Sequence, residues 1–239
     1  MTRELLSWVS LGDADGFARH TRAMDDLEAR SPLIVTVDDS PDARLFIELS
    51  SHAADLTEAK DALGWVMRAG LDDPLAGVKR HLIGAAVVSY CRCFLHSKVR
   101  TPLGDYIDVP EGLSRTHETI RAFRNQTIAH SQSELTVTYP VGVVDAETME
   151  LQFVSAVTVA STLPDSIVND FATLIGAVLD LLDDVLNPVR RRLEQVLRTA
   201  GPEALEAAAP RGIEKMAADF RPRSKRARYP MAHTLYWDR

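Results

Sequence analysis

Residues 78–95, VKRHLIGAAVVSYCRCFL, are apolar on almost every side of a helix. A helix without a polar stripe has nothing to offer water, so other elements must surround it. Candidate neighbours flank it. From Ala53 to Gly70, Leu56, Ala59, Leu63 and Met67 fall at helical spacing and Gly70 is a natural stop. Asp73-Pro74 supplies an N-cap and a first-turn proline for the buried helix itself. A third helix is expected after Val109-Pro110-Glu111. A long fourth should open at Pro164-Asp165-Ser166, be kinked or broken at Pro188, and end at Gly201-Pro202.

Two stretches carry the other periodicity. LIVTV (33–37) and LFIEL (45–49), separated by the turn formers of DDSPDA, read as a β-hairpin. LTVTYPVGVV (135–144) and MELQFVSAVTVAST (149–162) read as a second, with Pro140 at an edge or bulge. Residues 1–30 read as short helices around Gly12-Asp13, and no internal repeat is visible. The expected fold is mainly α, a helical bundle with a minor antiparallel β element formed by hairpins near 33–49 and 135–160. The expected division is an N-terminal extension (1–44), a helical domain (45–205) and a basic C-terminal arm (206–239).

Composition narrows the class. The chain has 239 residues, 46% of them apolar and 26% charged, which excludes wholesale disorder and collagen-like or coiled-coil fibres. The best candidate for a membrane span, Leu174 to Leu182, is interrupted by Asp180 and followed by Asp183 and Asp184, so no membrane span is expected. Asp13 and Asp15 stand where a signal peptide needs an apolar run. Cys91 and Cys93 lie in one predicted helix and cannot frame ordinary disulfides. These features point to a soluble, cytoplasmic protein without a membrane partner. Net charge is −7, from 27 cations and 34 acids, but residues 211–239 hold eight Lys/Arg against three acids. That tail suits a polyanion or the chain's own acidic body.

The third predicted helix concentrates the polar chemistry: His117, Arg121, Arg124, Asn125, Gln126 and His130. His117, Arg121 and Arg124 succeed one another at steps of four and three and share a face. His130 lies six beyond Arg124, roughly 120° away on a straight helix, so a common site would need a frayed last turn or a second copy of the helix.

RNQTIAHS, from Arg124 to Ser131, resembles the R-x(4–6)-H motif of HEPN domains, with a polar Asn directly after the Arg. A bacterial HEPN-like subgroup also carries a Tyr-x-Arg-x-Phe segment and a His seven residues before the motif Arg. Tyr90, Arg92, Phe94 and His117 stand at those places. The likeness implies a bundle of four or five helices, usually a homodimer with two motif helices facing one cleft. It implies either a metal-independent endoribonuclease of toxin–antitoxin or phage-defence systems, with RNA as substrate and an antitoxin or other protein as partner, or a non-catalytic binding module for nucleotide, RNA or protein. The extra strands and acidic body depart from the pattern. So does Gln132, where the R-x4-H-x-Y toxin subtype has Tyr.

The residue types suit that chemistry. Cleaving RNA takes a base for the 2′-OH proton and fixed positive charge for the pentavalent phosphate. An imidazole exchanges protons near neutral pH, and a guanidinium offers phosphate a permanent planar fork. On this expectation His130 is the acid or base, Arg124 the phosphate clamp and Asn125 the orienter, with His117, Arg121 and Arg92 as substrate-binding contributors. The plainer alternative has Arg124 and His130 capping a helix end, or Arg124 paired with Glu118 or Asp105. Arg92 is either set against an acid or aimed at the motif helix. Cys91, Cys93, His81 and His96 lack tetrahedral metal spacing, and the two cysteines read as small buried thiols. Neither metal nor cofactor is expected, and no Walker, G-x-G-x-x-G, G-x-S-x-G or H-E-x-x-H string occurs.

Overall fold

The computed structural model describes residues 35–68, 77–128, 135–208, 217–219, 227–230 and 233–235. It is mainly helical, with a small antiparallel hairpin. The elements are α1 (Pro41–Arg68), α2 (Lys79–Phe94), α3 (Ser114–Phe123) continued by a π-helical turn (Arg124–Ile128), β1 (Thr136–Val144), β2 (Leu151–Ala160), α4 (Asp165–Ala208), β3 (Ala217–Asp219) and β4 (His233–Leu235). Two compact units share them. The first comprises residues 1–57, 96–106 and 181–239, the second residues 58–95 and 107–180.

In the first unit, the hairpin expected near 33–49 is not formed. Its second half is helix, because Ser-Pro-Asp acts as a helix start and not as a turn. The Ser40 hydroxyl accepts the Ala43 N–H at 3.1 Å, Pro41 occupies the first helical position and Asp42 adds an acid to the first turn. Ala43, Leu49, Ala53 and Leu56 are then buried at helical spacing. Leu103 and the stripe Leu182, Leu186, Val189 and Leu193 of α4 complete the apolar set. Polar links cross this unit. Glu48 accepts the Thr101 N–H at 2.7 Å and the Tyr106 hydroxyl at 2.8 Å, which outweighs its burial and holds its carboxyl below the usual range. Arg100 donates to the Ser51 carbonyl at 3.2 Å and pairs with Asp55. Arg192 grips Asp42 with two bonds of 2.8 and 2.7 Å. From the C-terminal arm, Tyr229 donates its hydroxyl to the Val37 carbonyl. β3 and β4 pair in parallel.

Pro188 does not break α4. The backbone stays helical there, and the carbonyl that a proline deprives of its donor belongs to Asp184, exposed like Pro188 itself, so water can serve it. The break falls instead at Gly201, whose φ of 78° and ψ of 163° put it in an extended positive-φ conformation that glycine adopts without a Cβ penalty, and Pro202 starts the short helix beyond it.

In the second unit α2 is buried as expected: Ile83, Ala86, Val87, Tyr90, Cys91 and Cys93 are all enclosed. Ala59, Leu63 and Val66 of α1, Ile107, Ile120 of α3, Leu163, and Val168, Phe171, Leu174, Ile175 and Val178 of α4 supply the rest of this core among the described residues. β1 and β2 pair antiparallel from Thr136 opposite Ala160 to Val144 opposite Leu151, with one irregularity after Val143. Their turn is held by Asp145, whose carboxylate accepts the N–H groups of Glu147 and Thr148; these bonds keep its pKa below the ordinary value. Among the described residues, no helix is long and apolar enough to cross a membrane.

Among the described residues the Arg100–Asp55 pair is the most enclosed ion pair of the first unit, its side chains 11% and 16% exposed. Removing one partner strands the other charge, so Asp55→Ala should lower unfolding stability by about 3 kcal/mol. Glu194→Ala, which breaks the exposed pair to Arg198, should cost no more than about 0.5 kcal/mol. Urea denaturation of both variants checks the contrast.

Candidate functional site

Tyr90 sits one turn from the end of α2 with its ring fully buried. Its ring meets Phe171 edge-on at 5.2 Å between centroids and lies 5.1 Å from Phe94. A buried phenol O–H needs an acceptor, and α3 supplies it: the hydroxyl lies 2.7 Å from His117 Nδ1. The imidazole also stands edge-on to Phe94 at 4.7 Å. His117 is therefore walled by aromatic rings and half-buried. Burial first, and the Arg121 charge second, hold its pKa below the ordinary imidazole value, while Glu118 pulls the other way. It is neutral at pH 7. Burial likewise pushes the Tyr90 phenol far upward, so it stays protonated.

Arg121 lies one helical turn beyond His117 and is exposed; Arg124, half-buried, opens the π-helical turn and donates to Asn125 Oδ1 at 3.0 Å. Both guanidinium charges act on the buried Cys91 thiol, whose pKa burial pushes up to about 11 against their pull. They thus border the same stretch of α2. Neither makes an ion pair among the described residues, so Glu118 and Asp105, the acids considered as neutralising Arg124, are not its partners. Arg92 is exposed and does meet an acid: it reaches Glu58 of α1 at 2.9 Å and the Ser89 hydroxyl at 3.2 Å.

The sequence-predicted site residues are accordingly sorted. His117, Arg121 and Arg124 are brought to one region, with Asn125 bonded to Arg124. Arg92 is held by Glu58, and His130 lies outside the described residues. The straight-helix projection from Arg124 to His130 does not apply, because a π-turn is wider than an α-turn and turns the chain by a smaller angle per residue. Cys91 and Cys93 are buried free thiols, and His81 and His96 are exposed. The Tyr90 hydroxyl's grip on His117 is not evident from the sequence as a contact, although both residues carry the motif likeness. Glu58 is equally unannounced, since its only sequence signal is a carboxylate on an exposed helical face.

The first unit holds a separate pocket of about 190 Å³, lined among others by Arg44, Glu48, Arg100, Tyr106 and Arg228. Three of its charges are answered within the chain: Arg44 binds Asp39 through two 2.6 Å bonds, Arg100 binds Asp55, and Glu48 takes the Thr101 and Tyr106 donors.

No family model, curated protein or solved structure matches the chain.

Because the folded chain favours neutral His117, the unfolded chain binds the additional proton below its ordinary value near 6.5. Stability should therefore fall as pH drops through about 6.5, then level off below the folded-state pKa. His52, buried in the first unit and depressed chiefly by desolvation, adds to the same acid loss. Arg121→Gln removes the positive field, so the His117 pKa should rise and the acid loss shrink by its share. NMR titration of the His117 ring and melting temperatures at pH 7.5 and 5.5 test both.

Proposed function

We propose that the chain is a HEPN-like protein that cleaves RNA without a metal ion. Arg124 clamps the scissile phosphate, His130 moves the proton, and Asn125 orients the clamp. Arg121 and His117 extend the binding surface, with Arg92 at its border, held by Glu58. The observation that carries this reading is the pair of guanidiniums, Arg121 and Arg124, that border one stretch of α2 with no carboxylate partner among the described residues, while a neutral imidazole stands one turn away. Phosphate oxygens match that fork, and the fixed charge is most useful as a phosphorane gathers negative charge. The base takes the 2′-OH proton, the 2′-oxygen attacks phosphorus, and the 5′-oxygen leaves with a proton from the acid. The products carry a 2′,3′-cyclic phosphate and a 5′-hydroxyl. The motif likeness extends the proposal to a toxin or phage-defence effector, a homodimer restrained by an antitoxin or another protein.

One feature favours a second reading, a binding module without catalysis. The described imidazole of this region spends Nδ1 on Tyr90, and Arg92 is tied to Glu58, which leaves a surface better furnished to grip phosphate than to move protons.

Incubation of a mixed-sequence RNA with the protein in EDTA separates the readings. Cleavage should persist in EDTA, leave cyclic phosphate ends, and fall by about 100-fold or more in Arg124→Ala and His130→Ala. RNA binding without cleavage by the folded wild type, lost in an Arg121→Ala/Arg124→Ala double variant, establishes the binding module instead. Neither cleavage nor binding overturns both.

A further inference from the structure

The hairpin β1–β2 is the least covered part of the second unit. Every residue of β2 is exposed, and an isolated two-stranded ribbon is marginal in water. Its two faces differ. One carries Val137 opposite Val159, Tyr139 opposite Val157, Val141 opposite Ser155 and Val143 opposite Phe153, while the other carries Thr136 opposite Ala160, Thr138 opposite Thr158, Pro140 opposite Ala156 and Gly142 opposite Val154, the last valine 70% exposed. On the first face Tyr139, Phe153, Val157 and Val159 remain 49–54% exposed. Large side chains alternate onto one side, as on a sheet that has a core beneath it, and about half of the surface of these four side chains stays open to solvent among the described residues.

We propose that this face packs against the same face of a second copy of the chain, the two ribbons crossing about a two-fold axis as a small sandwich. Three observations select an identical partner. Neither strand contains an Asp, Glu, Lys, Arg or His. A polyanion or an oppositely charged protein finds nothing to complement there, whereas a copy meets no repulsion. The acids of the hairpin, Asp145, Glu147 and Glu150, all sit at the turn. A two-fold crossing sends the two turns to opposite ends, about 33 Å apart for strands of this length, beyond several Debye lengths. The face itself, about 33 by 10 Å, brings together roughly 700 Å² from two copies, the scale of a weak, concentration-dependent dimer.

Edge pairing is the competing geometry, and the register makes it separable. Ser161 donates its N–H to the Leu135 carbonyl, so with the observed register the odd-numbered pairs exchange hydrogen bonds. The even-numbered pairs turn their backbone groups outward. Pro140 opposite Ala156 is one of these outward pairs, which is why a proline fits within β1. A proline at 156 would likewise spare the hairpin's own ladder while blocking the outer edge of β2.

Sedimentation equilibrium of the full chain from about 1 to 100 µM tests the proposal, with far-UV circular dichroism to verify that each variant keeps its helix content. Wild type should dimerise reversibly. Val157→Asp should weaken association about thirtyfold or more, and Val154→Asp, the same charge on the opposite face, should leave it unchanged, as should Ala156→Pro. A wild type that stays monomeric to 100 µM overturns the proposal, as does a Val157→Asp protein that dimerises normally. Dissociation by Ala156→Pro assigns the contact to the strand edge and overturns the face packing.

Discussion

The hydrogen bond between Tyr90 and His117 is the constraint around which the second unit is arranged. A phenol enclosed by Phe171, Phe94 and the aliphatic core cannot leave its O–H without a partner. That requirement fixes the rotation of α3 against α2. With His117 turned inward, a residue four further along lies on the same side, and Arg121 is brought beside the imidazole. The link that joins the two helices therefore also sets the local electrostatics. It keeps His117 in a partly desolvated aromatic niche, where burial and the neighbouring guanidinium both favour the neutral ring.

The buried helix, the second hairpin and the polar helix after Pro110 are legible because each has one periodicity and unambiguous ends. The start of α1 is not, since Ser40-Pro41-Asp42 is a sound turn and an equally sound helix cap. The deciding stretch is LFIEL, whose β-branched and aromatic residues look extended in isolation. Its Leu49 continues through Ala53 and Leu56 as a helical stripe. That α4 continues unbroken through Pro188 is not legible locally, because only the tertiary environment says that the orphaned carbonyl can face water. In the candidate site, residue types and spacings put His117, Arg121 and Arg124 on a common face. Spacing could not reveal that the regular helix ends at Phe123 and that Arg124–Ile128 widens into a π-turn.

Charge pairing gives the polar surface its order. Asp39, Asp42, Asp55, Glu58, Asp165 and Glu194 each take a cation. Most of these pairs are exposed and contribute little to stability. Among the described residues Arg121 and Arg124 have no such partner, which costs the fold correspondingly little and leaves two guanidiniums beside a neutral histidine. A carboxylate on either would satisfy the charges more fully and make a poorer site for phosphate.

The ribbon follows the opposite logic. Its strands carry no charge, and the carboxylate of Asp145 at its turn is drawn inward onto the backbone N–H groups it accepts. In a chain of net charge −7, close approach of two copies is opposed by long-range repulsion wherever acids face acids. Association is then favoured only where neutral surface meets neutral surface, and β1–β2 offers a strip of apolar side chains on one side of a pleat for that encounter. Salt should consequently strengthen self-association through the ribbon by screening the bodies, while weakening any grip on phosphate by Arg121 and Arg124. These opposite salt dependences distinguish the two surfaces physically, because one excludes water from apolar groups and the other trades counterions for a ligand.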